Sequence, residues 1–433
     1  MSFLKVLGFD PAKHNVKTEI VAGITTFLTM ACILAVNPDI FSALEDMGMP
    51  KGAVFTATAL AAIVGTLVMS LYAKKPYALA PGLGLNAFFV YTVCLTMGYS
   101  WQFALTAVLI EGIIFIILTA TNVREAIINA IPKSMKSAVS AGIGLFIAFI
   151  GLVNAGIIVD DGGTIISLGT ITSGPALLAI VGLVITSVMM ILKVPGAMLI
   201  GIIVTAIIGI PFGITKFDGV VSAVPSVAPI FCKFEFHNIL TWDMIIVVFT
   251  FLFIDMFDTI GTVIGVSKKA NAMNPDGTIP GVKKVLMADA VATVWGAICG
   301  TSTTTTYVES ASGVAEGGRT GLTSFTVAIC FAIALFFAPV FLAIPSAATA
   351  PALILVGVMM MSSILDVDFN DFSECIPAYI CMIVMPLAYS ISDGIMLGMI
   401  SFVVLNALTG KFKKISVMMW ILAILFILRY ILL

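Results

Sequence analysis

Apolar stretches about as long as a bilayer is thick follow one another along almost the whole of this chain, with short polar connections between them. A helix needs about 20 mainly apolar residues to cross the hydrocarbon of a membrane. Runs that meet or approach this length cover 18–36, 52–72, 84–97, 101–121, 137–158, 175–192 and 195–213. A second set covers 241–266, 284–299, 308–318, 322–343, 347–365, 374–391 and 393–410, and a last apolar stretch, 415–433, either spans or lies in the interface. Lipid offers the backbone no hydrogen bonds, so runs of this length specify helices. Only 10% of the 433 residues are charged and 60% are hydrophobic, whereas a soluble domain carries about 25% charged residues. The chain is therefore expected to be an all-α polytopic membrane protein. Residues 1–17 are polar and mixed in charge, and no small-residue cleavage site follows the first run, so that run is expected to be a retained span rather than a signal peptide.

Two segments do not read as ordinary spans. Residues 77–97 open with Pro81, Gly82 and Gly84, and residues 299–319 open with the β-prone run Thr301 to Tyr307. Each reads as a short extended piece followed by a half-helix, a backbone tolerated at membrane depth only where protein or a cavity surrounds it. A pair of interrupted segments at matching places in two halves points to a transporter's binding site. The halves do match. Pro132 to Gly144 aligns without a gap with Pro345 to Gly357, each after an Ile-Pro, and Thr25–Leu28 resembles Phe249–Leu252. Seven spans in each half, with the third of each broken, force the repeats to be inverted. The expected organisation is a cytoplasmic N-terminus (1–17), a first repeat (18–213), an extracytoplasmic linker (214–240), a second repeat (241–410) and a C-terminal apolar segment (411–433). With the N-terminus cytoplasmic, Lys5, Lys74, Lys75, Arg124, Lys193, Lys268, Lys269, Arg319, Lys413 and most other cations fall inside. Lys51, Lys216 and Lys233 fall outside, Arg429 lies in the undecided last segment, and a bias of this kind sets orientation.

Several function classes are disfavoured. A net charge of −2 provides no basic surface for nucleic acid. The seven cysteines mostly sit inside apolar runs and form no CxxC or Cys/His metal spacing, so they read as small hydrophobes. His14 and His237, the two histidines, lie far apart in polar stretches, which argues against a histidine metal site or a catalytic triad, hence against an enzyme. No metal or cofactor is expected.

A carboxylate inside the membrane costs roughly 2.5–3.5 kcal/mol on insertion scales, so each needs a reason. Within the spans they are Glu111, Asp255, Asp258, Asp289, Glu309 and Glu316, five of them in the eighth to tenth spans, and no span centre offers a Lys or Arg. Uncompensated carboxylates in a low dielectric hold protons more tightly than in water, which is the chemistry of a proton-coupled site. Asp258, in Phe257-Asp-Thr-Ile-Gly-Thr262, reads as a substrate or proton ligand, with Asp255 on the adjoining face of the same helix. Glu309 follows Thr303-Thr-Thr-Thr306 and Tyr307 at the start of a half-helix, where free N–H groups also bind acceptors. Asp289 reads as a polar support for the site and Glu111 as a support or proton relay. Glu316 reads as an ion-pair partner of Arg319. Asn86 opens the first half-helix and either caps it or reads a substrate edge. Phe88, Phe89, Phe251, Phe257 and Tyr307 are the aromatics available to stack on a flat ring. Clustered carboxylates and hydroxyls serve sodium as well as a proton.

Four stretches, Ala78–Phe89, Phe257–Thr262, Met287–Ala290 and Thr303–Ser310, in this order on this hydropathy profile, resemble the nucleobase–ascorbate transporter family. The likeness covers essentially the whole chain and is greatest to the hypoxanthine/guanine/adenine permease branch. It implies two inverted seven-span repeats arranged as core and gate domains, with substrate between the short strands and half-helices of the third and tenth spans. It further implies that Asp258 and Glu309 hydrogen-bond the base, that Asp289 serves transport and that Asn86 is a polar site residue. The uracil and xanthine branches usually carry Glu in the eighth span and His one turn later, where this chain has Asp258 and Thr262. The shorter Asp leaves room for a larger ring, which agrees with a purine. The implied activity is proton-coupled purine uptake across the cytoplasmic (inner) membrane, hypoxanthine and guanine foremost, by a dimer joined through its gate domains. The rival readings are an adenine-preferring permease and a sulfate-type anion transporter on the same fold.

Overall fold

The computed structural model describes residues 2–121, 132–217, 219–237, 239–270, 272 and 279–432. Arg124 and the side chains of Phe257, Lys268, Lys269 and Arg429 lie outside the described residues. Among the described residues eight helices are long and apolar enough to cross a membrane, with shorter apolar helices between them.

The first half contains α1 (Ser2–Val6), α2 (Val16–Met30), α3 (Ile33–Phe41), α4 (Lys51–Val68), β1 (Leu79–Pro81), α5 (Leu83–Ala87), α6 (Trp101–Thr121), α7 (Lys133–Asn154), β2 (Ile158–Asp161), β3 (Ile165–Leu168), α8 (Gly174–Ile191) and α9 (Ala197–Gly209). The second contains α10 (Trp242–Lys269), α11 (Val282–Cys299), β4 (Thr304–Thr306), α12 (Ser310–Ala315), α13 (Gly321–Ala334), α14 (Ala338–Leu342), α15 (Ser346–Met361), α16 (Phe372–Leu387), α17 (Ile391–Leu408) and α18 (Val417–Leu432). The third and tenth segments are broken as the sequence predicts, each a three-residue strand followed by a half-helix. The half-helix after β1 widens into π-type turns over Phe88–Thr96.

Two spans differ from the sequence reading, and the last, undecided stretch takes a definite form. The first span is two helices, α2 and α3, separated at Ala31–Cys32, with Pro38 inside the second. The span expected over 137–158 ends at Asn154, and a β2–β3 hairpin follows, its turn held by Asp161 Oδ1 accepting from the Gly163 and Thr164 N–H groups. A turn made by an Asx side chain leaves no hydropathy signal, so an apolar window runs past it. The last stretch forms α18, which lays Met419, Leu422, Ala423 and Phe426 against the protein. At 16 residues it is about 24 Å long, less than the roughly 30 Å of hydrocarbon.

The helices pack in two groups. α7, α8, α9, α15, α16 and α17 form one, the gate domain. α2, α3, α4, α6, α10, α11, α12 and α13 surround the paired strands and form the other, the core. The aligned prolines Pro132 and Pro345 both stand as the N-cap residues of their helices, α7 and α15. These two helices meet at the aligned pair Gly144 and Gly357, where a Cβ on Gly144 would lie 2.8 Å from the Gly357 carbonyl oxygen. Small residues at such a crossing let two backbones touch, and contact between equivalent positions is what an inverted repeat produces about its two-fold axis.

Candidate functional site

β1 and β4 are antiparallel, with Leu79, Ala80 and Pro81 opposite Thr306, Thr305 and Thr304. The ladder extends at both ends, from Gly82 N to Thr303 O at 3.0 Å and from Tyr307 N to Ala78 O at 2.9 Å. Two three-residue strands would not persist alone in water, where a lone hairpin is marginal at best. Here neighbouring side chains complete their hydrogen bonds. Thr66 Oγ1 accepts from Leu79 N at 3.0 Å, and Ser310 Oγ accepts from Ala78 N at 3.0 Å. Tyr307 OH donates to Pro81 O at 2.6 Å, which fixes the ring beside the strands.

Where the strands give way to half-helices a cavity of about 340 Å³ opens between core and gate. The core wall includes Gly82, Asp258, Thr262, Thr306, Tyr307 and Glu309, and the gate wall includes Ser140, Ile143, Val356, Met359 and Met360. Ile254, Asp258 and Thr262 recur every four residues, so one stripe of α10 faces the cavity. Glu309 occupies the N-cap position of α12 but makes no side-chain cap bond, which leaves its carboxylate to the cavity. Leu83 and Gly84, at the start of the other half-helix, bring backbone N–H groups that no helix carbonyl uses. Gly82 is one point of close backbone approach. A Cβ there would stand 3.1 Å from Thr305 Cγ2 and 3.8 Å from Asp258 Oδ2. Among the described residues that line the cavity none is Lys, Arg or His.

Behind this wall lies a buried network. Three residues before Asp258, Asp255 points to the adjoining face of α10, towards α11 and β4. Asp289 Oδ1 accepts from Thr306 N at 2.9 Å, Thr306 Oγ1 at 2.9 Å and Thr305 Oγ1 at 3.3 Å. Thr259 Oγ1 lies 2.8 Å from Asp289 Oδ2, 3.0 Å from Asp255 Oδ1 and 2.7 Å from Thr305 Oγ1. A threonine hydroxyl has one proton to donate. Thr259 therefore donates to one of these neighbours at a time. Glu111 Oε2 accepts from Thr303 Oγ1 at 2.7 Å, just before β4.

Of the residues singled out from sequence, Asp258, Glu309, Tyr307 and Thr306 meet at the cavity, while Asp255, Asp289 and Glu111 lie buried behind it. Asn86 does not face it. Its amide oxygen accepts from Ser302 Oγ and its side chain is buried, so it ties the first half-helix to the approach of β4. Phe88, Phe89 and Phe251 are likewise buried and pack on one another and on Phe41. Tyr307 is therefore the described aromatic candidate placed to stack on a ring; the side chain of Phe257 lies outside the described residues. No ion pair joins Glu316 to Arg319 among the described residues. Arg319 Nη1 instead donates to Val314 O at 2.6 Å and Gly318 O at 2.7 Å, capping the end of α12.

Two buried carboxylates escape the sequence inventory because they stand at span ends. Glu19 accepts from Arg319 N at 3.1 Å, Thr320 N at 3.2 Å and the Thr323 hydroxyl. Asp39 joins α3 to the start of α15. Their cost in a membrane is the signal that would have found them.

The Permease family profile, Xan_ur_permease, matches residues 17–397. The chain is 45% identical over 433 residues to the guanine/hypoxanthine permease PbuG of Bacillus subtilis (strain 168), covering 98% of each. It is 40% identical over 418 residues to the adenine permease AdeQ of Escherichia coli (strain K12), covering 96% of this chain and 94% of that one. In three dimensions it is similar to the transmembrane domain of a cyanobacterium bicarbonate transporter, BicA. The TM-score is 0.65 at 16% identity, over 89% of this chain and 97% of that one, a likeness of fold.

Proposed function

This chain belongs to the Permease family, the nucleobase–ascorbate transporters, and on that premise we propose that it takes up purine nucleobases, hypoxanthine and guanine foremost, together with protons. The observation that carries the reading is the pair of carboxylates, Asp258 from α10 and Glu309 from the start of α12, facing one cavity with no cation among the described lining residues. A neutral purine offers N–H groups that such carboxylates accept, and a carbonyl or ring nitrogen for the backbone N–H groups of Leu83 and Gly84. Tyr307 gives the ring a flat neighbour. An anion would meet two carboxylates, which argues against the sulfate-type alternative even though the fold is shared with a bicarbonate transporter. The relatives include both guanine/hypoxanthine and adenine permeases, and the exocyclic group at one ring position separates the two substrates.

Transport then proceeds by alternating access. Base and proton bind in the cavity, and the gate rocks against the core to open the other face. The Asp255–Thr259–Asp289 network, two buried carboxylates sharing one hydroxyl, supports proton coupling with Asp289 and Asp255 as the proposed relay. The lysine and arginine distribution supports an N-terminus in the cytoplasm and insertion in the cytoplasmic membrane. The repeats 18–213 and 241–410 are proposed as the units that exchange roles between faces, and pairing through gate domains as the route to a homodimer.

The test is uptake of labelled hypoxanthine by cells lacking their own purine permeases, with guanine, adenine, xanthine and uracil as competitors. Asp258→Asn and Glu309→Gln each weaken a bond to a charged acceptor worth about 1.5–3 kcal/mol. Each should raise KM roughly tenfold to a hundredfold. A protonophore should abolish accumulation, and replacing sodium by choline should not. Competition by adenine alone changes the substrate. Absence of purine uptake in correctly inserted protein refutes the reading.

A further inference from the structure

We propose that Asp39 is a positioning residue for transport, the latch that keeps the cavity closed on the face opposite its mouth. The inference rests on the alternating-access reading above, but not on the identity of the substrate. The Asp39 side chain is 2% exposed. Its Oδ1 accepts from Ser346 Oγ at 2.7 Å and its Oδ2 from Thr349 Oγ1 at 2.6 Å. Lys51 Nζ stands 3.7 Å away. Ser346 and Thr349 form the first turn of α15, where unused N–H groups and the helix dipole also favour a carboxylate.

The two partners belong to different bodies. Asp39 is mounted on the core. Two residues earlier, Asn37 Nδ2 donates to Thr58 Oγ1 of α4 at 2.7 Å and to Thr301 Oγ1, just ahead of β4, at 3.2 Å. α15 belongs to the gate, and its other end supplies Val356, Met359 and Met360 to the cavity wall. Thr349 and Met360 are 11 residues apart in the chain, about 16 Å along the helix axis. The cavity meets the surface at that far end, where Val308, Met359 and Ser362 are exposed. One helix, with Pro351 inside it, thus joins the open wall of the cavity to a buried core contact at the closed end. A gate that rocks about the site must break the Asp39 bonds before the Asp39 face opens. A second set of contacts crosses the same seam, the rings of Tyr91 and Tyr389 at 5.9 Å and Thr92 Oγ1 to Tyr389 O at 3.5 Å. These leave the closed state populated but less favoured when Asp39 is removed.

The experiment reads sidedness directly. Ser140 lines the cavity on the gate side. A Ser140→Cys variant is made with Cys232→Ser and Cys330→Ser, which remove the cysteines that are not buried. It is labelled with a membrane-impermeant maleimide in right-side-out and inside-out vesicles, without substrate. With Asp39 intact the thiol should react from the face opposite Asp39. Adding Asp39→Ala should raise its labelling rate from the Asp39 face at least tenfold and lower it from the other. Asp39→Asn, which keeps one acceptor oxygen, should fall between. Ser346→Ala with Thr349→Val should reproduce the effect, and adding Asp39→Ala to that pair should change little further. Should Asp39→Ala fail to insert, the Ser346/Thr349 pair is the decisive variant. Labelling from the Asp39 face that stays at the background rate in well-inserted protein overturns the latch. Purine uptake, measured separately, reports on the substrate reading alone.

Discussion

Asp289 is the residue whose loss the structure makes most quantitative. Because β4 pairs with β1 on one edge, the N–H of Thr306 points the other way, and Asp289 Oδ1 is its partner at 2.9 Å. The hydroxyls of Thr259, Thr305 and Thr306 that share this carboxylate can rotate to other acceptors, but the backbone N–H cannot. Asp289→Ala therefore strands a buried donor and removes a bond to a charged group, which costs about 1.5–3 kcal/mol. That is roughly a tenfold to hundredfold shift in the folding equilibrium, read as a lower denaturation midpoint in detergent. Asp289→Asn should behave differently. Its amide oxygen still accepts from Thr306 N, and its amide nitrogen donates to Thr259 Oγ1, which then donates to Asp255. These contacts survive the substitution, so the fold should be kept. Transport should then lose its coupling. In proteoliposomes Asp289→Asn should equilibrate and exchange labelled hypoxanthine but fail to concentrate it under an imposed pH gradient. Wild-type stability in Asp289→Ala, or wild-type accumulation in Asp289→Asn, would refute the reasoning.

Gly82→Ala puts a methyl 3.8 Å from Asp258 Oδ2 and 3.1 Å from Thr305 Cγ2; it should raise KM for hypoxanthine with little change in surface expression, and an unchanged KM would remove this edge from the site. Asn86→Ala and Ser302→Ala each break one buried contact between the half-helix and the approach to β4. Their stability losses should not add in the double variant, and additive losses in a double-mutant cycle would show that the two side chains act apart. In the connection before α16, the Lys414 ammonium, helped by the Ser373 hydroxyl and N–H and by Lys411, holds the Asp371 carboxyl well below the usual carboxylate range. A depressed folded-state value means the contribution is complete above the unfolded value of about 3.9 and fades as pH falls below it. Asp371→Asn should therefore be less stable than wild type at neutral pH and converge with it in acid, as measured by denaturation midpoints across pH.

The spans and the two breaks were legible because lipid penalises polar backbone and charge so heavily that each exception stands out. Asp258, Glu309, Asp289, Asp255 and Glu111 were found from that cost alone. Which of them face the cavity was not legible, because an apolar helix in a bundle has no polar face to orient it. Asn86 shows the limit. Beside Pro81 and Gly82 it reads as a site residue, yet the register of β1 on β4 brings Ser302 to its amide instead. Asp39 and Ser346 are separated by 307 residues, and only the packing of gate on core brings them together. The β2–β3 hairpin rests on an Asx turn that hydropathy does not register.

Three residues along a helix turn a side chain by about 300°, so Asp255 and Asp258 share α10 yet face different surroundings. Asp258 meets the cavity, and Asp255 meets Asp289 through one hydroxyl. Asp289 in turn grips the N–H of Thr306, and Tyr307 and Glu309 follow within three residues, a reach of about 10 Å at full extension. On the proposed coupling, a change of charge at Asp289 would change which hydrogen bonds hold the end of β4. That strand end carries Tyr307 and Glu309, two of the residues proposed to meet the base. The proposed connection from proton to base therefore needs no long pathway. It would run through one strand end, fixed on one edge by β1 and on the other by the Asp289 side chain.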